Sequence, residues 1–174
     1  FYSYYQTPTP AADLYMGIFV LAPGLTGGLS GTADSTGIQI NGQTAIKFKL
    51  GQNAEWFGTT TNKFAVDLTL GKRYPPNGNT CRLQLRTIVT PTAAAPTAYT
   101  VPLSAFSVVQ DCGVGGLTLA SALAASPISQ VSFQGVGGGI ALTAGGQTSG
   151  ANLSVAANGL YPTTLVVVSG ITFE

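Results

Sequence analysis

The stretch Lys63-Phe-Ala-Val-Asp-Leu-Thr-Leu70, together with Cys81-Arg-Leu-Gln-Leu-Arg-Thr-Ile-Val89, decides the fold class. In the first, Phe64, Val66, Leu68 and Leu70 fall on every second position, with Asp67 and Thr69 between them. In the second, Leu83 and Leu85 alternate with Arg82, Gln84 and Arg86. A period of two puts the apolar set on one face of an extended chain and the polar set on the other, whereas a helix would interleave them around its circumference. Both stretches therefore predict half-buried strands of antiparallel sheets.

The same alternation recurs on either side. Over 44–50, Ile46, Phe48 and Leu50 face one way and Lys47 and Lys49 the other. Over 128–134, Val131 and Phe133 oppose Gln130, Ser132 and Gln134, and a β-branched run over 165–173 closes the chain. Punctuation between the runs is of the turn type. Tyr74-Pro-Pro-Asn-Gly-Asn79 contains the turn dipeptide Asn-Gly, and two prolines make residues 90–97 a loop. Gly135–Gly139 and Gly145-Gly146 read as loops or as a strand weakened by glycine. One helical stripe, Leu117, Leu119, Ala120 and Leu123, predicts a short helix near 117–125 that Pro127 stops. No repeat and no internal boundary divides the 174 residues, so the expectation is a single all-β domain over 1–174, a two-sheet antiparallel sandwich of the jelly-roll kind.

Composition narrows function by exclusion. Charged residues make up 7% of the chain, against about a quarter in ordinary soluble domains. A net charge of +1 provides no basic patch for nucleic acid. No segment approaches the roughly eighteen apolar residues of a bilayer-spanning helix. The absence of histidine removes the commonest general base and metal ligand. The acids are Asp13, Asp34, Glu55, Asp67, Asp111 and Glu174, scattered without an Asp-rich loop. Structural calcium is therefore not favoured, and no cofactor is expected. Glu55 and Asp67 are the one carboxylate pair to consider for glycoside hydrolysis. Their ordinary alternative is a solvated loop acid and an Asp paired with a basic residue on a neighbouring strand. The chain reads as a non-catalytic domain.

Cys81 and Cys112 are the two cysteines. They read as a redox pair or as one structural disulfide between a strand and a loop, and the lack of a Cys-x-x-Cys motif favours the bridge. A bridge implies an oxidising compartment, hence a secreted or cell-surface protein. The chain begins at Phe1 rather than Met, as a processed or trimmed chain would, and Asn152-Leu-Ser154 is a glycosylation sequon.

An ordered series of motifs adds a resemblance. Tyr99-Thr-Val-Pro-Leu-Ser-Ala-Phe106, the short helix, Pro127-Ile-Ser-Gln-Val-Ser-Phe-Gln134 and Gly170-Ile-Thr-Phe-Glu174 resemble the second half of galactose-binding-like jelly rolls, including many carbohydrate-binding modules of polysaccharide-degrading enzymes. The resemblance implies a jelly roll and a polysaccharide or other glycan partner. Such modules often carry an Asp before the final strand, where this chain has Gly170.

The candidate ligand-binding residues are polar positions of strands, Lys47, Lys49, Asp67, Arg82, Gln84 and Arg86, with Gln130, Ser132 and Gln134 beside them. Fixed donors and acceptors of this kind match sugar hydroxyls. Trp56, in Glu55-Trp-Phe-Gly58, and Tyr74 are candidates for an aromatic platform against a pyranose ring. Tyr161 reads as a sandwich-corner residue. The N-terminal Phe1-Tyr-Ser-Tyr-Tyr5 reads as a first strand, a stacking platform or a strand that pairs with another molecule. Together with a mean hydropathy of +0.32, it raises a second expectation, a self-assembling surface protein built of packed sandwiches.

Overall fold

The computed structural model describes residues 2–5, 15–21, 37–52, 64–74, 81–93, 95–136, 141–143, 146–148 and 164–174. In chain order the strands are β1 (Tyr2–Tyr5), β2 (Tyr15–Leu21), β3 (Ala45–Gln52), β4 (Phe64–Tyr74), β5 (Cys81–Val89), β6 (Thr97–Pro102) and β7 (Ser107–Gln110). A short helix α1 (Leu119–Ala125) follows, then β8 (Ile128–Val136), β9 (Ala141–Thr143), β10 (Gly146–Thr148) and β11 (Thr164–Phe173). One sheet has the order β1-β11-β3-β6 and the other β2-β8-β4-β5-β7, with all pairs antiparallel. First and last strands are neighbours in one sheet, and the second lies beside the returning β8 in the other. This is the wound order of a jelly roll, the expected two-sheet sandwich.

The apolar halves of the alternating runs meet between the sheets. Ile46, Phe48, Leu50 and Val168 come from the four-stranded sheet, and Phe64, Val66, Leu68, Leu70, Leu83, Leu85 and Phe133 from the five-stranded one, all buried. Leu103, Phe106 and Ala122 extend the same core. The Val101-Pro-Leu-Ser-Ala-Phe106 motif is thus a packing device: its 3₁₀ turn over Leu103–Ala105 buries Leu103, and Phe106 follows. Helix α1 opens at Thr118, whose hydroxyl accepts from the Ser121 amide while Ser121 Oγ accepts from the Thr118 amide. It starts two residues later than the apolar stripe suggested, because this capping box sets the first turn.

Two glycines are required by the backbone. Gly170 has φ +63° at the β11 irregularity, where pairing with β3 shifts between Ser169 and Thr172. A left-handed residue at a bulge favours Gly. Gly37 has φ +149°, and a Cβ there would lie 2.4 Å from the Ile128 carbonyl oxygen. The neighbouring Ile38–Ile128 bridge, 2.8 Å from Ile38 N to Ile128 O, holds that approach. Gly37→Ala is expected to destabilise the domain by about 1–3 kcal/mol. Urea unfolding checks this, and an unchanged midpoint would show that the bridge is dispensable.

The disulfide forms between Cys81 at the start of β5 and Cys112 in the loop after β7. Cys112 takes φ +56°, a conformation uncommon outside Gly, Asn and Asp. Replacing both cysteines by serine releases a loop with a sequence separation of 31. The chain-entropy model puts the loss at about 3–4 kcal/mol. Thermal unfolding of the oxidised and the double-serine proteins measures it. Among the described residues no helix is long and apolar enough to cross a membrane.

Candidate functional site

The polar half of the alternation does not face solvent as expected. Eight consecutive residues of β4, from Phe64 to Gly71, are buried on both faces. Asp67 is 0% exposed, Arg82 5% and Arg86 8%, and Ser132 on β8 is also fully buried. The expectation of half-buried strands is therefore corrected for β4, and for much of β5 and β8. These strands lie in the interior of the five-stranded sheet, and their second face is covered too. Strand β9, paired antiparallel with β10, approaches β4 and β5.

Register explains what this covered layer contains. Asp67 stands opposite Arg86 on one side and Ser132 on the other, and Thr69 stands between Gln84 and Gln130. Directly opposed residues share a face. Arg86 donates from Nε to Asp67 Oδ1 at 2.6 Å and from Nη2 to Oδ2 at 2.8 Å, a fork matched to a carboxylate. Gln84 Nε2 donates to the same Oδ2 at 3.1 Å. Asp67 is thus the strand-paired acid of the ordinary reading, and its two oxygens already hold three donors. Glu55, its suggested catalytic partner, lies outside the described residues.

An irregularity in β4 extends the layer. Pairing with β5 shifts between Thr69 and Arg73, and Arg73 comes to stand opposite Arg82. The Gly71 amide donates to the Pro127 carbonyl at 2.9 Å and the Lys72 amide to Ser126 Oγ at 2.7 Å, which ties down the extra residues. Arg73 was not among the sequence candidates. Its even spacing from Asp67 and Thr69 is the signal that points to the same face. The layer thus runs from Ser132, Asp67 and Arg86, through Gln130, Thr69 and Gln84, to Arg73 and Arg82. It is closed at the Asp67 end and more accessible at half-buried Gln130, Gln84 and Arg73. Ser132 Oγ is buried and has no hydrogen-bond partner among the described residues.

The other candidates do not join it. Lys47 and Lys49 sit on β3, in the opposite sheet, exposed on its outer face. Lys47 Nζ is 2.5 Å from Glu174 Oε2, with both side chains nearly half exposed. Such a surface pair is worth at most about 1 kcal/mol. Tyr74 closes β4 on the core side, packs against the core and carries Lys72 Nζ 5.0 Å from its ring centroid. It stands on the face opposite Arg73 and Arg82, so the expected partnership of this ring with the polar face is corrected. Trp56, Tyr161 and the sequon at Asn152 lie outside the described residues, and Gln134 is described in its backbone alone. The N-terminal run enters the four-stranded sheet as the edge strand β1, beside β11.

A separate open depression of about 860 Å³ adjoins the disulfide, lined by Cys81, Val108, Val109, Gln110, Asp111 and Leu117 among others. Gln110 Nε2 donates to the Arg82 carbonyl at 2.8 Å, and Asp111 Oδ1 accepts the Gly113 amide at 2.9 Å. Its polar groups are largely committed to shaping the loop. Among the described residues no three acids or cysteines gather to hold a metal ion.

Comparison with protein-family models, with characterised proteins and with solved structures returns no match.

Proposed function

We propose that this chain is a secreted or cell-surface, non-catalytic carbohydrate-binding domain that reads a polysaccharide at the accessible end of the polar layer of its five-stranded sheet, around half-buried Gln84 and Gln130. One observation carries the reading. A chain with few charges places Asp67, Arg82 and Arg86 on a covered sheet face. Burying charge is costly unless the groups are paired, and a packed apolar face is often more stable. A strip of fixed donors and acceptors with half-buried glutamines at its accessible side suits an oriented ligand rich in hydroxyls. The jelly-roll strand order and the motif series through Phe106 and Phe133 support the same class, and the disulfide fits an oxidising compartment. Trp56 is the candidate platform for a pyranose face.

The test is binding of the whole chain to a panel of soluble and insoluble polysaccharides. Saturable binding to one glycan class is expected, weakened about tenfold or more in the Gln84→Ala/Gln130→Ala double variant, which loses two amide partners. Absence of binding across the panel would overturn the proposal.

One observation favours a second reading, a self-assembling surface protein. The aromatic strand β1 stands at a sheet edge, and such an edge is a template for pairing with another copy. Deleting residues 1–6 is then expected to abolish assembly in sedimentation velocity. An unchanged oligomeric state would overturn it.

A further inference from the structure

We infer that the chain assembles head to tail, strand β1 of one copy adding to the free edge of β6 on the next; the inference rests on the self-assembly reading and names the surface that receives β1. The four-stranded sheet ends at β1 on one flank and at β6 on the other. Backbone alternation fixes what each edge offers. Ala45 and Glu174 exchange amide-to-carbonyl bonds at 3.0 Å, so Ala45 turns its backbone groups to the β11 side. Successive residues of a strand turn to opposite neighbours. Ile46, Phe48 and Leu50 therefore turn to β6, where their register partners are Val101, Tyr99 and Thr97. The Leu103 amide, bonded to the Thr44 carbonyl at 2.8 Å, continues the same phase. Ala98 and Thr100 are left with N–H and C=O groups directed to the open side, and both residues are exposed.

The opposite edge follows from the same count. Gly51 turns to β11 and stands opposite Val167, so Val166 turns the other way, to its partner Ser3. Tyr2 and Tyr4 are then the β1 residues whose N–H and C=O point away from the sheet. Setting Tyr2 opposite Thr100 and Tyr4 opposite Ala98 of the next copy makes hydrogen-bonded pairs of the antiparallel kind. Each such pair exchanges two N–H···O bonds. Sliding β1 two residues either way would bring a tyrosine opposite Pro96 or Pro102, neither of which has an N–H. The prolines thus select one register. In it a large residue of β1 meets a small one of β6 at both positions, whereas β6 on β6 would set small against small.

Neither edge is guarded. Natural edge strands carry lysines, other charges or bulges that prevent such pairing. Residues 2–5 and 97–102 contain no charge, while Lys47 and Lys49 stand on interior β3. With a net charge of +1 the copies barely repel. The strands alternate in direction from β1 to β6, so an added β1 runs as the first one does. Each step therefore repeats the last, a heterologous contact that builds a filament rather than a closed dimer.

Sedimentation velocity of the whole chain and of two full-length variants tests this. Thr100→Pro and Tyr4→Pro each remove one outward N–H and no bond within the sheet. Near-ultraviolet circular dichroism checks folding. Ala98→Glu and Tyr4→Glu put a charge on the same edges without changing the backbone, and serve in place of a proline variant that does not fold. The unaltered chain is expected to form species that lengthen with concentration, and each variant to stay monomeric. Mixed in equal amounts, the two variants are expected to form a two-copy complex and nothing larger, since each supplies the edge that the other has lost. A Thr100→Pro protein that still associates by itself overturns the inference, because β1 then pairs elsewhere. A self-associating Tyr4→Pro protein overturns it too, because β6 then pairs without β1. No complex in the mixture, while the unaltered chain assembles, overturns the pairing of these edges and leaves the self-assembly reading standing. An unaltered chain that is monomeric at every concentration overturns both.

Discussion

Asp67→Ala is expected to destabilise the domain by about 3–5 kcal/mol, the loss usual when one partner of a buried ion pair is removed. The side chain of Arg86 is 10% exposed, so its guanidinium cannot turn to water without moving its surroundings. Removing Asp67 withdraws both acceptors of the fork and the acceptor of Gln84 Nε2. The loss therefore measures a stranded charge more than the worth of the pair. Two further variants separate these effects. Arg86→Met alone leaves Asp67 buried with Gln84 as its remaining donor among the contacts described and is expected to be similarly damaging. Asp67→Leu/Arg86→Met removes both charges and is expected to recover most of the stability, because apolar replacements of a buried pair are often neutral or better. Urea unfolding of the three proteins provides the comparison. A loss below about 1 kcal/mol in Asp67→Ala, the range of exposed pairs, would mean that the layer is open to solvent.

Phe133→Ala is expected to cost about 3–5 kcal/mol by creating a cavity between the sheets. Phe133 is 1% exposed on the interior strand β8, and its ring meets Phe48 of the opposite sheet edge-on, 4.9 Å between centroids. Phe48 in turn stacks on Tyr99 at 5.6 Å. The three rings thus link β8, β3 and β6 across the core. Phe133→Leu preserves most of the volume and is expected to lose less than Phe133→Ala. A cycle of Phe48→Ala and Phe133→Ala is expected to show a coupling of about 0.5–1.5 kcal/mol, the range for aromatic pairs. Additive losses would mean that the sheets are not packed through this pair.

Where periodicity was strong, the strands were legible before any coordinates. Ile46, Phe48 and Leu50, then Phe64 to Leu70, Leu83 and Leu85, and Val131 and Phe133 all point into one core, as alternation requires. The two cysteines, the short helix and the Leu103–Phe106 motif were readable from local spacing and from the company they keep. Strands β2 and β7 were not. Tyr15–Leu21 is nearly all apolar apart from Gly17, which hides the period, and Ser107–Gln110 is too short to display one.

The candidate site was legible in its residue types and misread in its surroundings. Lys47-Phe-Lys49 and Arg82-Leu-Gln-Leu-Arg86 have the same alternating grammar. Yet the lysines are exposed on the four-stranded sheet, while Arg82 and Arg86 are buried on the five-stranded one. Period two tells how a strand divides into faces and says nothing of what lies on them. Arg73 entered the layer through a register shift, which depends on the amides of Gly71 and Lys72 finding partners at Pro127 and Ser126, more than fifty residues away.

The sequence by itself determined the all-β class, the inward-facing set of each alternating strand, the helix near α1 and the pair of cysteines available to bridge. Each follows from interactions among residues within a few positions of one another, or from the chemistry of two residue types. Only the tertiary structure decided that Asp67 pairs with Arg86, that Arg73 faces Arg82, and that this polar face is covered while that of β3 is open. Strand order and register join residues far apart in the chain, and burial of a second face depends on every segment that passes over it.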